Sequence, residues 1–133
     1  AGVRSVGRVL AFKLGGRAQL PPPPPLPPPV PAPSMTLELR PGERERGIAL
    51  YHQHCSACHG AMAVGGGTSV PDLRYSSAEL HAHFEEIVLG GAKRELGMPG
   101  YSDLLSREEL RAIQGYILER AAESAAQLPP APE

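Results

Sequence analysis

Tryptophan is absent from these 133 residues, and only two phenylalanines and four tyrosines are present, so little aromatic bulk is available to fill a core. An excess of either charge is also lacking. Thirteen basic and fourteen acidic residues are interspersed and leave −1 at pH 7, which excludes the basic footprint of a nucleic-acid binder. No apolar run approaches the length of a membrane span. There is no initiating methionine and no recognisable signal peptide. From Pro41 onward no alternating strand pattern occurs.

Proline and glycine are plentiful, with 16 and 15 residues. Ten of the prolines lie between Pro21 and Pro33, so the excess is local and divides the chain. Residues 1–20 contain Arg8-Val9-Leu10-Ala11-Phe12-Lys13-Leu14-Gly15-Gly16, in which alternation and a Gly-Gly turn predict one β-strand. A lone strand is unstable in water, so its partners must lie elsewhere. The basic residues Arg4, Arg8, Lys13 and Arg17 would also suit a targeting segment. Residues 21–41 read as a linker. Pro21 to Pro33 should populate polyproline II, which at ~3.1 Å per residue makes a spacer on the order of 40 Å; a ligand for a proline-binding domain has the same composition.

Residues 42–125 read as the folded domain, and 126–133, with Pro129, Pro130 and Pro132, as a disordered tail. A first helix is expected from Glu43 to about His54, with Gly47 and Tyr51 on one face. Ser76 with Glu79 reads as a capping box. It opens a second helix with the apolar stripe Leu80, Phe84, Ile87 and Val88, closed by Gly90-Gly91. Ser106 with Glu109 opens a third, with Leu110, Ile113, Tyr116 and Ile117 buried, running to about Glu123. The fold class is all-α.

The two cysteines fall in Cys55-Ser56-Ala57-Cys58-His59, the C-x-x-C-H pattern of covalent haem attachment. Two thiols at this spacing can bond neighbouring porphyrin substituents, and His59 then sits close enough to offer its imidazole to iron. A thioredoxin-like pair would need a βαβ context that is not there. A closed zinc site would need two further ligands, and His81 and His83, two apart, point to different sides of a helix. A disulfide would leave His59 unexplained. With so few aromatics, the porphyrin itself would complete the core.

A second axial ligand is sought among the remaining candidates. Met98 lies in Gly97-Met98-Pro99 between the second and third helices. A Met/His pair raises the reduction potential relative to two imidazoles, Pro99 stiffens the loop, and Gly97 admits conformations closed to other residues. The competing role is a gap-filling core methionine. Met62 is too near His59 in sequence, His52 and His54 precede the motif, His81 and His83 are expected to be solvated, and Met35 lies in the linker. Pro71-Asp72-Leu73-Arg74 follows the Gly65-Gly66-Gly67 loop. It could supply a carbonyl to the free nitrogen of His59, and Arg74 either pairs with a haem propionate or is an exposed loop arginine.

The order helix, C-x-x-C-H, Pro-x-Leu, Gly-Met-Pro, final helix resembles class I cytochromes c. That resemblance implies helices crossing near Gly47, Tyr51 and Tyr116. It also implies a haem site of Cys55, Cys58, His59 and Met98, with Pro71, Leu73 and Arg74 as cofactor-binding residues and the Pro71 carbonyl on the proximal histidine. Gly47 to Tyr51, Cys55 to Gly60, Pro71 to Arg74, Ile87 to Gly91 and Gly97 to Pro99 are similar, more closely, to the C-terminal cytochrome domain of pyrroloquinoline-quinone (PQQ)-dependent alcohol dehydrogenases, the quinohaemoproteins. Residues 7–16 are similar to the last propeller strand of those enzymes, and the proline run to their interdomain connection.

The resemblance implies one-electron transfer from PQQ through covalent haem c to a periplasmic redox protein. PQQ, calcium and the catalytic carboxylate would belong to a propeller domain that is not in this chain, so the chain is expected to be a C-terminal fragment or the product of a truncated gene. An independent soluble cytochrome c, or a haem sensor or enzyme with a displaceable Met98, is the alternative.

Overall fold

The computed structural model describes residues 11–19, 22, 27–33, 35–65 and 70–127. The described residues are helical and contain no strand. Five α-helices follow in order: α1 (Glu43–His54), α2 (Ser56–His59), α3 (Ala78–Ala82), α4 (Phe84–Val88) and α5 (Arg107–Ala126). Two 3₁₀ turns, Leu73–Tyr75 and Arg94–Leu96, lie in the loops between them.

The fold is organised by the packing of α1 on α5. Leu50 and Tyr51 of α1 meet Leu110, Ile113, Tyr116 and Ile117 of α5 in one buried cluster. Tyr51, Ile113 and Ile117 are its largest fully buried side chains, each contributing ~1.5–3 kcal/mol of apolar transfer. The two helices approach most closely at Gly47, where a Cβ would fall inside the Ala112 carbonyl. Ion pairs flank the contact: Arg44 with Glu119 at 2.7 Å, Arg46 with Glu109, and Arg111 with Glu43 at 2.5 Å. Arg44 and Arg46 are largely exposed and Arg111 is half-buried, so the first two pairs fix the register of the helices more than they stabilise them.

α1 matches the expected span, and α5 opens as expected. The Ser106 hydroxyl accepts from the Glu109 amide at 3.3 Å, and the Glu109 carboxylate accepts from the Ser106 amide at 3.0 Å. α5 runs three residues past the expected Glu123. Its stripe of Leu110, Ile113, Tyr116 and Ile117 is buried as expected, joined by Leu118 and Ala121.

The second helix differs from expectation. His83 leaves the helical conformation (φ −97°, ψ 16°) and divides it into α3 and α4. The cap is Ser77, not Ser76: the Ser77 hydroxyl accepts from the Leu80 amide at 3.2 Å. Leu80 is 43% exposed, whereas His81 is only 6% exposed, so the expectation of a solvated His81 is corrected. The ring enters because Gln114 of α5 meets its polar atoms. The Gln114 side-chain amide donates to the His81 carbonyl at 2.8 Å and lies 3.4 Å from its Nδ1. Burial lowers the pKa of this imidazole and favours the neutral ring. His83 is exposed as expected and pairs with Glu86.

The first segment stands without the partners its expected strand would need, and the second differs from a free spacer. In residues 11–19 no strand pairing forms; Lys13 to Gly16 make a turn, and Phe12 and Leu14 are fully exposed. Residues 1–10, which hold the rest of the expected strand, lie outside the described residues, as do 128–133 of the expected tail. The linker is not free along its whole length. Its part from Pro27 on lies against the domain, with Val30 buried and the Pro28 carbonyl accepting a 2.6 Å hydrogen bond from Tyr75.

Candidate haem site

The attachment motif begins where α1 ends. The Cys55 amide still donates to the Tyr51 carbonyl at 2.8 Å, but the helical run breaks at this residue. The Cys55 carbonyl then accepts from the amides of Cys58 (3.2 Å) and His59 (2.9 Å). One tight turn therefore carries both thiols and the imidazole. Both cysteines are free thiols, Cys55 half-buried and Cys58 exposed. Burial, and then the neighbouring Cys58, push the Cys55 thiol up to about 11, so it stays protonated at neutral pH.

Three tyrosines hold this turn by its backbone. The Tyr51 hydroxyl donates to the Gly60 carbonyl at 2.8 Å, Tyr116 to Ala61 at 3.3 Å and Tyr101 to His54 at 3.1 Å. The Tyr51 and Tyr116 rings pack with centroids 5.0 Å apart. Burial raises the Tyr51 pKa, so its hydroxyl remains a donor. The family resemblance implied Tyr51 and Tyr116 at the helix crossing but not these hydrogen bonds, because their acceptors are backbone carbonyls that leave no mark in the sequence.

His59 is 9% exposed. Its Nδ1 lies 3.2 Å from the Pro71 carbonyl oxygen, the geometry of an Nδ1–H donor, which leaves Nε2 as the free base. Among the described residues no protein group engages Nε2. Leu73 packs on the core cluster, and its amide donates to the Ala63 carbonyl at 3.0 Å. That bond closes the loop that brings Pro71 back to the motif.

Met98 is half-buried against the same cluster as Cys55, Leu73 and Tyr101. Gly97 before it has φ 90°, the left-handed conformation that its lack of a Cβ permits. The loop is pinned on both sides of the sulfur: the Met98 amide donates to Lys93 at 3.2 Å and the Tyr101 amide to Val88 at 2.8 Å. Met62 is 52% exposed, and Met35 lies by α5, outside this cluster.

Arg74 has another occupation. Its guanidinium donates twice to the Asp72 carboxylate, at 2.9 and 2.6 Å, and to the Ser124 hydroxyl of α5 at 3.1 Å. The side chain is 12% exposed, so it is not an exposed loop arginine. It clamps the Pro71 loop to the last helix.

The donor set suits a covalently held haem. Two unpaired thiols and an imidazole with one nitrogen anchored share a single turn, and a thioether lies on a pinned loop against the same apolar cluster. The zinc alternative needs more ligands, and among the described residues no three His, Cys, Asp or Glu side chains gather to hold a metal ion. The family described as cytochrome C oxidase, cbb3-type, subunit III matches residues 42–117.

The chain belongs to this cytochrome c family. Its cofactor is haem c and its chemistry is electron transfer. The cytochrome is 43% identical over 122 residues to quinohemoprotein alcohol dehydrogenase ADH IIB of Pseudomonas putida, covering 92% of this chain and 18% of that protein. It is 32% identical to 1-butanol dehydrogenase (cytochrome c) of Thauera butanivorans, over 89% of this chain and 17% of that one. Among solved structures it resembles quinohemoprotein alcohol dehydrogenase ADHIIG of Pseudomonas putida HK5, with a TM-score of 0.63, 36% identity, and coverage of 86% of this chain and 17% of that one. The cytochrome thus spans less than a fifth of the length of these relatives. None of its described helices is long and apolar enough to cross a membrane.

Proposed function

We propose that Cys55 and Cys58 form the thioethers to haem c, that His59 and Met98 are the axial ligands of its iron, and that the domain carries electrons from PQQ of a propeller-type alcohol dehydrogenase to a periplasmic redox protein. The observation that carries the ligation is the 3.2 Å contact between His59 Nδ1 and the Pro71 carbonyl. It fixes the ring's tautomer and orientation before any metal is present and leaves Nε2 to face a metal.

When bound, haem c supplies an iron that changes its charge by one electron. The chain's own residues do the rest. Cys55 and Cys58 prevent loss of the cofactor, the Pro71 carbonyl holds His59, and the pinned Gly97-Met98-Pro99 loop presents a soft thioether. With His59 and Met98 both holding the iron, no position would be left open for substrate or oxygen, which suits electron transfer. The apolar cluster against Cys55 and Met98 would lower the polarity beside a bound haem and so would favour the less charged, ferrous state.

The donor assignment is supported by relatives whose names join a quinone, a haem and alcohol oxidation, and in which a segment like this one is under a fifth of the chain. In such an arrangement the tether supplies the cytochrome at high effective concentration. Two measurements test the reading. Acidified organic solvent should leave the colour on correctly matured protein; extraction of the pigment overturns covalent attachment. A PQQ-dependent propeller dehydrogenase supplied with PQQ, calcium and alcohol should reduce the haem; an unchanged visible spectrum overturns the donor.

A further inference from the structure

Past the last proline of its run the linker reads Met35-Thr36-Leu37-Glu38-Leu39-Arg40, with apolar and polar residues alternating. Met35, Leu37 and Leu39 are half-buried, whereas Thr36, Glu38 and Arg40 are exposed. An extended chain laid on a surface shows this two-residue period. The surface is the outer face of α5: the three apolar residues line one hollow with Gly115, Leu118 and Ala122. The fit is closest at Gly115, where a Cβ would come within 2.5 Å of the Leu39 side chain. The backbone is tied down as well, because Arg111 of α5 donates to the Glu38 carbonyl. Further upstream Val30 is 7% exposed, and the Pro28 carbonyl accepts from the Tyr75 hydroxyl at 2.6 Å. Tyr75 ends the 3₁₀ turn that follows Pro71 and Asp72, so one residue joins the proline-rich segment to the loop whose carbonyl holds His59.

We propose that residues 27–33 and 35–41 belong to a docked strap of the cytochrome domain rather than a free spacer, and that Tyr75 is a positioning residue through which the strap steadies the Pro71 carbonyl on His59. Docking of the strap is independent of the haem, whereas its effect at His59 rests on the ligation proposed above. Two anchors define it, the Leu39 side chain against Gly115 and the Pro28 carbonyl on Tyr75. Releasing either one loosens the loop and weakens the hydrogen bond at Nδ1. The imidazole then donates less to iron, and the oxidised state is held less well.

The test uses the full chain with haem attached. Under native conditions a glutamate-specific protease should spare the Glu38–Leu39 bond, which it cuts once the chain is denatured. Leu39→Asp puts a charge against α5 and should make native cleavage roughly tenfold faster, the ratio expected from losing one apolar anchor. Leu39→Met keeps the apolar contact and should restore both the protection and the potential. Tyr75→Phe deletes only the bond to Pro28. Leu39→Asp and Tyr75→Phe should both shift the reduction potential upward. Native cleavage of the unmodified chain at the denatured rate overturns the strap. A cleavable Leu39→Asp chain, or a Tyr75→Phe chain, whose potential equals that of the unmodified protein overturns the coupling to His59. Failure of the haem reading shows separately, as pigment that washes out, and leaves the protease result standing.

Discussion

The His59 imidazole is oriented by a residue twelve positions later: its Nδ1 lies 3.2 Å from the carbonyl oxygen of Pro71. Behind that carbonyl stands Gly65. A Cβ there would lie 2.6 Å from the Pro71 oxygen and 2.5 Å from its carbon, so the acceptor keeps its place because residue 65 has no side chain. Leu73, bonded to Ala63, and Arg74, clamped to Ser124, hold the segment from its other end.

Gly65→Ala should therefore push the Pro71 carbonyl away from His59. The looser imidazole donates less to iron and the reduction potential rises. A redox titration of the holo-protein checks this. A potential equal to that of the parent would remove Pro71 from the control of the iron.

Met98→Ala should act in the opposite direction. Loss of the thioether lowers the potential relative to the Met/His pair and opens a coordination position. The reduced variant should bind carbon monoxide with a change in its visible spectrum, whereas the parent protein should not under native conditions. A variant with the parent's potential and no carbon monoxide adduct would exclude Met98 as a ligand.

Gly47→Ala tests the helix crossing. Alanine is the better helix former by ~1 kcal/mol, yet its methyl group would overlap the Ala112 carbonyl. Overpacking should win, with a net loss of about 1–3 kcal/mol read as a lower urea midpoint. A stabilised variant would mean that α1 and α5 do not touch there.

Acid should weaken the fold through groups whose pKa values are depressed on folding, chiefly Glu109 and His81, with Glu43, lowered by the Arg40 amide and then by Arg111, adding to the lower window. The Ser106 amide, then Arg46, lower the Glu109 carboxyl from 4.5 to about 2. Its stabilisation is complete above the unfolded value and is lost as pH falls from ~4.5 toward 2. His81 is depressed by burial, so the unfolded chain takes up its proton first, and stability begins to decline as pH falls below ~6.5. Denaturation midpoints measured from pH 8 to pH 2 should fall in both windows. His81→Gln should flatten the upper one and Glu109→Gln the lower one.

The legible parts were those written in local chemistry. The C-x-x-C-H turn, the Ser106–Glu109 cap, the extent of α1 and the buried stripe of α5 each depend on residues a few positions apart. A backbone carbonyl from the loop of Pro71 to Arg74 could be expected at His59 because that loop follows the motif, and the family resemblance implied that of Pro71.

His81 read as solvated because nothing near it in sequence announces Gln114, which meets its polar atoms from another helix. Arg74 could not be given its partner on α5, since the Ser124 hydroxyl it meets lies fifty residues away. The alternation of Met35, Leu37 and Leu39 was visible, but its meaning was hidden behind the prolines. An extended segment has no internal hydrogen bonds to mark it, and only the face it covers shows that it is docked.

The sequence alone determined the cofactor chemistry, because two thiols and an imidazole on one turn are fixed by covalent spacing. The all-α class followed from helical periodicity and caps. Tertiary structure decided which polar groups find distant partners: His81 on Gln114, Arg74 on Ser124, Tyr75 on Pro28. Those pairings join segments far apart in the chain, and their geometry is set by how α5 and the linker pack on the domain, which no local pattern encodes.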